Sequence, residues 1–516
     1  RSKVYSRLKY HFQFQNQLFL FSEVGHRFKF SINIHGGSSE KVSFDSINNL
    51  FTTSTIDSSY IHNGSGLCGG IKVLKEDAFV WNFIGHSKRI IHYNQERLNI
   101  LSKLFENNDE WENTKLAVIH TSDIFQALDK LANIDGRVFE TDYIVSVGWF
   151  ETNDVKKGII KRETKYAEDI SSLELIYSGP HFYVSNPMYK TPRENCTEKS
   201  HYDVIDLTLK NESYLPRTNY TPSVSIEKYL GDAKMNGFVA DENYLDYYKA
   251  INSKMVNQAA ERSLQTALCP PRVAHIDGIY SITFREEKTL LNYISFASSL
   301  VLDYFVKLTG ASNLTESIMR YFPIEISEKY KSLIYSRILR LNCLNPLYKE
   351  IWERQFQLDY KTQNWSKEDE RLSSFNELTS DYNDSNQLKN YYERRMALIE
   401  LDVLISMNLG IKVEALILMY SSQFPVLVQN EHDTWYDTKG NIVFTCSKGL
   451  TGVGVDRPVW NTIKDLKAGE TYEHTIEKSE LYRGKKVTYY APFDKCDRVE
   501  DYKTAWAHFE TIFKEN

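Results

Sequence analysis

The sequence is poor in cysteine and has no long apolar run. Its six cysteines are far apart, without a Cys-x-x-Cys pair or a Cys/His cluster at zinc-ligand spacing, which excludes a zinc module and a disulfide-rich scaffold. No stretch approaches the roughly 18 consecutive apolar residues of a membrane helix, and no signal-peptide pattern opens the chain. We therefore expect reduced cysteines and a protein of the cytoplasm.

A net positive charge is also missing. The formal net charge is −6, whereas proteins that coat nucleic acid indiscriminately neutralise phosphates with an excess of lysine and arginine. Any contact with DNA must therefore come from local basic patches. The initiator methionine is missing too: the chain opens with Arg1 and reaches strand-like sequence almost at once, so we expect it to be part of a longer polypeptide.

What is present is a large, aromatic-rich core. The 516 residues include 34 tyrosines and 27 phenylalanines, and 42% of all residues are hydrophobic, as in well-packed globular proteins. A chain of this length normally divides into about three domains. The apolar patterns predict a mixed α+β, multidomain fold, divided into four regions: 1–165, 166–345, 346–424 and 425–516.

Individual elements in the first half follow from the spacing of apolar residues. Alternation predicts strands at 7–14, 18–20, 28–34 and 118–120, the last followed by a helix over 122–131. Seven of the twelve prolines lie between Ser178 and Pro271, which predicts a loop-rich region because proline interrupts regular elements.

The second half is predicted to be mainly helical. A strongly apolar helix should run over 290–308 and end at Gly310, and the next should begin with a capping box of Asn313 and Glu316. Helical spacing over 325–420, interrupted at 380–386, predicts a hairpin or bundle. The final region should contain a turn at 439–441 between two strands and a terminal helix near 504–513.

Two short motifs resemble parts of a methyltransferase site. Residues 64–70 contain Gly-x-Gly-x-x-Gly, which binds a nucleotide only between a buried strand and a helix; here a strand-like run follows, so a glycine loop without ligand is the simpler interpretation. Asn186, Pro187, Met188 and Tyr189 are close to the Asn-Pro-Pro-Tyr motif that holds a flipped adenine. Methionine replaces the second proline, and Asn186, Pro187 and Tyr189 form the less favoured catalytic alternative.

Acidic and basic triplets offer a weaker hypothesis of metal-dependent chemistry. Residues 163–165 and 286–288 both fit the Glu-x-Lys half of a nuclease signature, in which the acid holds Mg²⁺. Neither has a convincing Pro-Asp partner, and His432 with Asp433 has no ligand partners at recognisable spacing. Solvated charged faces explain these residues better, so no metal site is predicted.

Basic and aromatic residues alternate in the proline-rich region. Arginine and lysine anchor phosphates or read guanine, asparagine reads adenine, and aromatic rings stack on bases. A loop held by tyrosine packing explains the same spacing equally well. The candidate DNA-contact residues are His181, Tyr189, Lys190, Arg193, Arg217 and Asn219. A second basic run, over 156–165, is more typical of a solvated hairpin.

Several of these segments together resemble a known family. The chain is similar to the C-terminal, post-catalytic region of large adenine-specific DNA methylases of type II restriction-modification and phage-defence (DISARM-like) systems in bacteria. The helix predicted over 290–308, with Asn313, Leu314, Pro323 and Ile324, resembles the helix-plus-Leu-Pro unit of TaqI-like target-recognition domains. The matching segments are 7–14, 30–34, 178–193, 214–220, 270–275 and 496–506.

The resemblance implies a role for each region. Residues 1–165 would be a connector after a missing methylase domain, 166–345 the DNA target-recognition region, 346–424 a helical spacer and 425–516 a small C-terminal α/β module. The catalytic motif and the S-adenosylmethionine loop would lie upstream of Arg1, so the fragment would be inactive and cofactor-free alone. The intact protein would methylate adenine N6 in double-stranded DNA, with S-adenosylmethionine as cofactor.

Two alternatives stay open at this point. The chain could be a divergent methyltransferase that uses 64–70 and 186–189 directly, or a module that docks another subunit of a restriction or defence complex. A salt series of duplex binding and calorimetry with S-adenosylmethionine separate the three hypotheses.

Overall fold

The computed structural model describes almost the whole chain. The described residues are 2–26, 28–66, 68–76, 78–108, 110–165, 171–198, 200–233 and 236–515. Helices and strands alternate along the chain, and the predicted mixed α+β class is confirmed. The domain boundaries stay predictions.

Helices occur along the whole chain and dominate its second half. The helices of the described residues are α1 Ser2–Tyr5, α2 Ser54–Ile61, α3 Gln95–Glu106, α4 Phe125–Ala132, α5 Glu151–Lys156, α6 Ile226–Gly231, α7 Glu287–Ser298, α8 Leu300–Thr309, α9 Glu316–Met319, α10 Glu328–Asn342, α11 Lys349–Gln355, α12 Tyr391–Asn408, α13 Val413–Gln423, α14 Pro425–His432, α15 Arg457–Ile463 and α16 Arg498–Glu515.

Strands are short and lie mostly in the first half. They are β1 Leu8–Gln15, β2 Lys29–His35, β3 Phe44–Leu50, β4 Lys72–Lys75, β5 Ala78–Trp81, β6 Ile91–Tyr93, β7 Tyr143–Ser146, β8 Ile160–Lys165, β9 Ile176–Tyr177, β10 Lys190–Pro192, β11 Tyr202–Val204, β12 Thr218–Pro222, β13 Lys249–Ser253, β14 Thr266–Cys269, β15 Ala274–His275, β16 Ile279–Phe284, β17 Thr434–Tyr436, β18 Ile442–Thr445, β19 Thr471–Thr475 and β20 Lys486–Tyr490.

Two four-stranded sheets organise the first 300 residues. The first has the order β2-β1-β3-β6, with β1 antiparallel to β2 and parallel to β3. The second is antiparallel with the order β14-β13-β16-β7. Because β7 precedes residue 166 and the other three strands follow it, the second sheet joins the first two predicted regions.

The predicted helix over 290–308 is two helices. Helices α7 and α8 meet at an angle of 70°, because Ser299 is extended and its side chain caps α8 by accepting from the amide of Leu302. The end of α8 at Gly310 is confirmed, with the glycine in the left-handed conformation at φ 64°. The single-helix prediction was wrong because apolar spacing continues through a bend when both halves are buried.

Other local predictions also need correction. Thr315, not Asn313, precedes α9, and no side-chain cap is present there; Asn313 instead forms a β-bridge with Met255. Residues 118–120 are not a strand. Residues 18–20, expected as a strand, are not one either, because 16–18 form a 3₁₀ turn. Short apolar runs form strands only where a partner strand lies beside them.

The later half agrees more closely with the predictions. Helices α10, α12, α13 and α16 pack together, and the interruption between α11 and α12 is longer than predicted. The turn at 439–441 joins β17 to β18, and α16 is the predicted terminal helix. One apolar core includes buried residues from Tyr5 to Phe509.

No single helix within the described residues is long and apolar enough to span a membrane. The bent pair α7 and α8 has the length and composition together, but both helices are buried in this core.

Candidate functional site

The six candidate DNA-contact residues lie in one hydrogen-bonded region. Strand β10 pairs with β11, and the amide of Arg217 donates to Thr191 Oγ1 over 2.9 Å. His181 Nε2 lies 2.9 Å from the carbonyl oxygen of Arg217. Two segments that are distant in the sequence, 181–193 and 217–219, therefore form one unit.

His181 and Asn219 support this unit from inside. His181 is buried and stacks on Tyr177 with 4.9 Å between ring centroids, and burial lowers its pKa. Asn219 is also buried; it accepts from Thr164 over 3.0 Å and donates to the Tyr202 hydroxyl over 3.2 Å. Their polar atoms are engaged within the chain, and their contact with DNA stays a prediction.

Arg193 and Arg217 hold a segment of the C-terminal region, 478–482. Arg193 donates to Asp203 and, over 2.9 Å, to the carbonyl of Lys478. Arg217 lies 2.9 Å from Glu480. Asp203 completes the contact by accepting from two backbone amides, of Glu480 and Leu481. Of the two arginine side chains, Arg193 is 34% exposed and Arg217 is 15% exposed.

Tyr189 lies at the edge of a cavity, and Lys190 lies beside its ring. The Tyr189 ring stacks on Tyr183 with 5.0 Å between centroids, and its hydroxyl donates to the carbonyl of Gly449. The ammonium group of Lys190 lies 4.9 Å from the Tyr189 ring centroid, and burial lowers the pKa of this lysine. The favourable contact of a cation with an aromatic face keeps Lys190 beside the ring.

Asn186 uses its side-chain oxygen inside its own turn. Its Oδ1 accepts from the amide of Met188 over 3.0 Å, although a base-holding asparagine needs that oxygen for the exocyclic amine. Pro187 is buried. The catalytic alternative of Asn186, Pro187 and Tyr189 stays a prediction.

The glycine motif at 64–70 lies between a helix and a strand. Helix α2 precedes it and β4 follows it, which is not the strand-to-helix context of a dinucleotide site. Leu67 lies outside the described residues. At Gly70 an added Cβ would lie 2.1 Å from the carbonyl oxygen of Ser421. Close packing against α13 therefore explains the need for this glycine.

The Glu-x-Lys triplets form ion pairs within the chain. In the first triplet Glu163 contacts Lys161 at 2.9 Å and Lys165 contacts Glu174 at 2.9 Å. In the second, the middle residue Glu287 contacts Arg354 at 2.6 Å. Asp433 pairs with Arg457. Among the residues that the structure describes, no group of three or more His, Cys, Asp or Glu could hold a metal ion.

A cavity of about 730 Å³ lies beside this region. Its wall combines the loop 183–189, the segment 257–265, helices α12 and α14, and the loop after β18. Ligand pockets typically have volumes of roughly 300–1,000 Å³. The cavity walls include four tyrosines: Tyr183, Tyr189, Tyr391 and Tyr436.

Two buried hydrogen-bond donors in the cavity wall have no acceptor among the described residues. Within the described part of the chain, the Tyr391 hydroxyl and Arg395 Nη2 are buried and have no hydrogen-bond partner. The other nitrogens of Arg395 are occupied by Glu431 at 3.0 Å and Asp501 at 2.6 Å. A buried donor without a partner costs free energy, so each of these two atoms is able to take an acceptor from a ligand.

Glu261 lies next to the tyrosine pair. Its carboxylate accepts from Asn430 over 2.7 Å and from Ser447 over 3.2 Å, and burial raises its pKa. Burial and the charge of Glu261 together raise the pKa of Tyr183 and of Tyr189. A carboxyl group and an amide thus adjoin the aromatic wall.

The floor of the cavity is a buried ion-pair network. Arg498 donates to both carboxylate oxygens of Glu431 over 2.8 Å and lies 3.2 Å from Asp402. Burial alone would raise the pKa of Glu431, but Arg395 and Arg498 outweigh it and lower that pKa to about 2. Glu431 is therefore ionised at neutral pH and pairs with both arginines.

Comparisons with known proteins identify no family. No family model and no curated protein matches this sequence. Among solved structures, the chain is similar to the type IIG restriction endonuclease BpuSI, at 10% sequence identity and a TM-score of 0.25. The overlap covers 79% of this chain and 44% of that one, so this chain spans less than half of that enzyme's length.

The cavity was missed by sequence reasoning. Its polar groups come from Glu261, Tyr391, Arg395 and Asn430, which share no motif and no short spacing. Tyr183, Asn186 and Tyr189 of the cavity wall had been singled out from the sequence, but not as parts of a cavity. A buried arginine-rich helix such as α12, with Arg394 and Arg395 in an apolar setting, was the available signal, because buried charges require partners.

Proposed function

We propose that this chain is the DNA-binding, target-recognition portion of a bacterial N6-adenine DNA methyltransferase of a restriction-modification or phage-defence system. Its task is to bind duplex DNA, read a short sequence and present an adenine to a catalytic domain elsewhere in the intact cytoplasmic protein. The intact protein uses S-adenosylmethionine as cofactor and binds double-stranded DNA. Other subunits of the system are further partners. This chain alone neither binds the cofactor nor transfers a methyl group.

The observation that carries the proposal is the assembly of the predicted contact residues into one unit. Segments 181–193 and 217–219 are joined by the hydrogen bonds between His181 and Arg217 and between Arg217 and Thr191. Cationic side chains on such a unit contact phosphates, whereas aromatic and amide groups contact bases. Lys190, Arg193 and Arg217 supply the cations.

The first experiment is a salt series of duplex binding by fluorescence anisotropy, with several unrelated sequences. We expect affinity to fall steeply with salt and to differ between sequences, because each neutralised phosphate releases counterions. Arg193→Ala and Arg217→Ala should each weaken binding by at least several-fold and reduce the salt slope by about one. Absence of binding at low salt would contradict the proposal.

A matched variant shows whether Arg217 contacts DNA directly or only supports the 478–482 segment. Glu480→Gln removes the charge that pairs with Arg217 but keeps the arginine. If Arg217 contacts phosphate, the Glu480→Gln chain binds DNA as tightly as the original chain or more tightly, because a competing anion is gone. If Arg217 only holds the segment, Glu480→Gln weakens binding as Arg217→Ala does, and Arg217 leaves the proposed interface.

The enzyme alternative is tested by methyl transfer. Labelled S-adenosylmethionine and duplex DNA are incubated with this chain alone, and the label in DNA is counted. We expect none above background, since Asn186 Oδ1 already accepts from Met188. Transfer that is lost in Asn186→Ala would establish the alternative instead.

A further inference from the structure

The cavity beside Tyr183 and Tyr189 has the features of a site for a small ligand. It is about 730 Å³ in volume, which exceeds the volume of one nucleotide and falls within the usual range for ligand pockets. Its wall is aromatic and contains two buried donors that have no hydrogen-bond partner among the residues that the structure describes. A ligand site in this cavity does not depend on the proposed function.

Two cations of the cavity wall, Arg394 and Lys448, are not part of the ion-pair network in its floor. Arg394 donates to the carbonyl oxygens of Leu341, Leu388 and Ser185, and among the described residues no ion pair to it occurs. Lys448 in the same wall is exposed. Together with Nη2 of Arg395 and the Tyr391 hydroxyl, these groups would bind an anion such as a phosphate, because charge-assisted hydrogen bonds are the stronger ones.

A hydrogen-bond acceptor, the carboxyl group of Glu261, adjoins Tyr183 and Tyr189. Glu261, held by Asn430 and Ser447, offers a carboxyl group to ring N–H or amino donors. Tyr183 and Tyr189 provide the flat apolar surface on which heterocycles stack. A carboxyl group beside aromatic rings suits the hydrogen-bonding edge of a purine.

We propose that this cavity binds a purine nucleotide, with the base near Tyr183 and Glu261 and the phosphate near Arg395 and Tyr391. The nucleotide comes from one of two sources: a free mononucleotide or a nucleotide displaced from a nucleic-acid strand. The recognising chemistry is the same for both.

Calorimetry with the full chain tests the proposal with AMP and GMP, and with adenosine and inorganic phosphate as partial probes. At least one mononucleotide should bind more tightly than either partial probe. Tyr391→Phe removes only the unpartnered hydroxyl and should weaken that binding by roughly ten-fold, while the melting temperature stays the same or rises. Ala260→Phe should abolish binding by filling the cavity.

The matched control is Tyr348→Phe. The Tyr348 hydroxyl donates to the carbonyl of Leu268 in the main core, away from the cavity wall. Its loss should lower the melting temperature and leave nucleotide affinity unchanged. This pattern, opposite to that of Tyr391→Phe, separates a binding role from a general effect on folding.

A second set of titrations identifies the source of the bound nucleotide. Purine-containing single strands and duplexes with one mismatched purine are titrated into the original chain, Tyr391→Phe and Ala260→Phe. Binding of mononucleotides that both variants impair supports a free ligand. Oligonucleotide binding that both variants impair, without mononucleotide binding, supports a displaced nucleotide. If neither class of ligand binds in a way that these variants change, the proposal is overturned.

Discussion

Buried carboxylates and guanidinium groups pair with one another at the centre of the helical core. Arg262 with Asp303 and Arg337 with Glu400 are each 2.6 Å apart and almost fully buried. The Glu431, Arg395 and Arg498 group adds a third set. Replacement of one partner in such a pair typically costs about 3–5 kcal/mol, because the other charge stays buried alone.

Glu431 should make stability depend on pH in the acid range. Its pKa in the folded protein is lowered to about 2 from 4.5, so the unfolded chain takes up a proton first as the pH falls. The stabilisation is complete above about pH 4.5 and is lost towards pH 2, by a few kcal/mol in total. Urea unfolding at a series of pH values measures it.

Glu431→Gln is the comparison for that series. The variant should be less stable at pH 7 by about 3 kcal/mol or more, and the difference from the original chain should shrink below about pH 4. A difference that is constant between pH 7 and pH 3 would show that the charge of Glu431 is not the stabilising feature.

At the scale of elements, the break between α7 and α8 is set by one serine. Ser299 Oγ donates to the carbonyl of Phe296 over 2.7 Å and accepts from the amide of Leu302 over 3.2 Å. It therefore satisfies groups at the end of one helix and the start of the next. The bend directs both helices into the core, where they also contact α12.

Ser299→Ala should destabilise the protein by about 1–2 kcal/mol, the usual effect of the loss of an N-terminal cap. Chemical denaturation measures the change. Ser295→Ala is the control, because Ser295 is equally buried but its Oγ donates to the carbonyl of Leu291 within α7 and caps no helix; we expect a smaller change, of about 0.5–1 kcal/mol. Equal effects of both substitutions would argue against capping as the cause of the bend.

At the scale of the whole molecule, one core joins the ends of the chain. Tyr5 of α1 and Phe509 of α16 belong to the same set of packed residues, and Tyr502 and Ala505 of α16 are fully buried in it. Arg498, at the start of α16, also completes the ion pairs with Glu431 and Asp402.

Deletion of 498–516 should therefore destabilise the whole protein rather than one module. We expect poor recovery of soluble protein and a melting transition lowered by many degrees, because apolar surface and a buried arginine are lost together. Phe509→Leu, which keeps an apolar side chain, is the mild control. A truncated chain with an unchanged melting transition would show that α16 does not contribute to the stability of the common core.

The pattern of apolar residues in the sequence determined the class of fold and many local elements. Period-two and 3.6-residue spacing predicted β1, β2 and α16, and Gly310 was recognised as the end of α8. These features depend on residues close together in the chain, where backbone geometry and solvent exposure act locally. The resemblance to adenine methylases likewise rests on the sequence alone.

Only the tertiary structure decided the bend at Ser299, the support of the 478–482 segment by Arg193 and Arg217, and the cavity. The bend uses local groups, but the apolar spacing continues through it because both helices are buried. The arginine contacts and the cavity depend on groups far apart in the chain, such as Arg217 with Glu480 and Glu261 with Asn430. Sequence spacing carries no information about such pairs, because packing of many elements brings them together at once. From the sequence, Arg217 is only a candidate cation for DNA contact, whereas in the folded protein it forms an ion pair with Glu480.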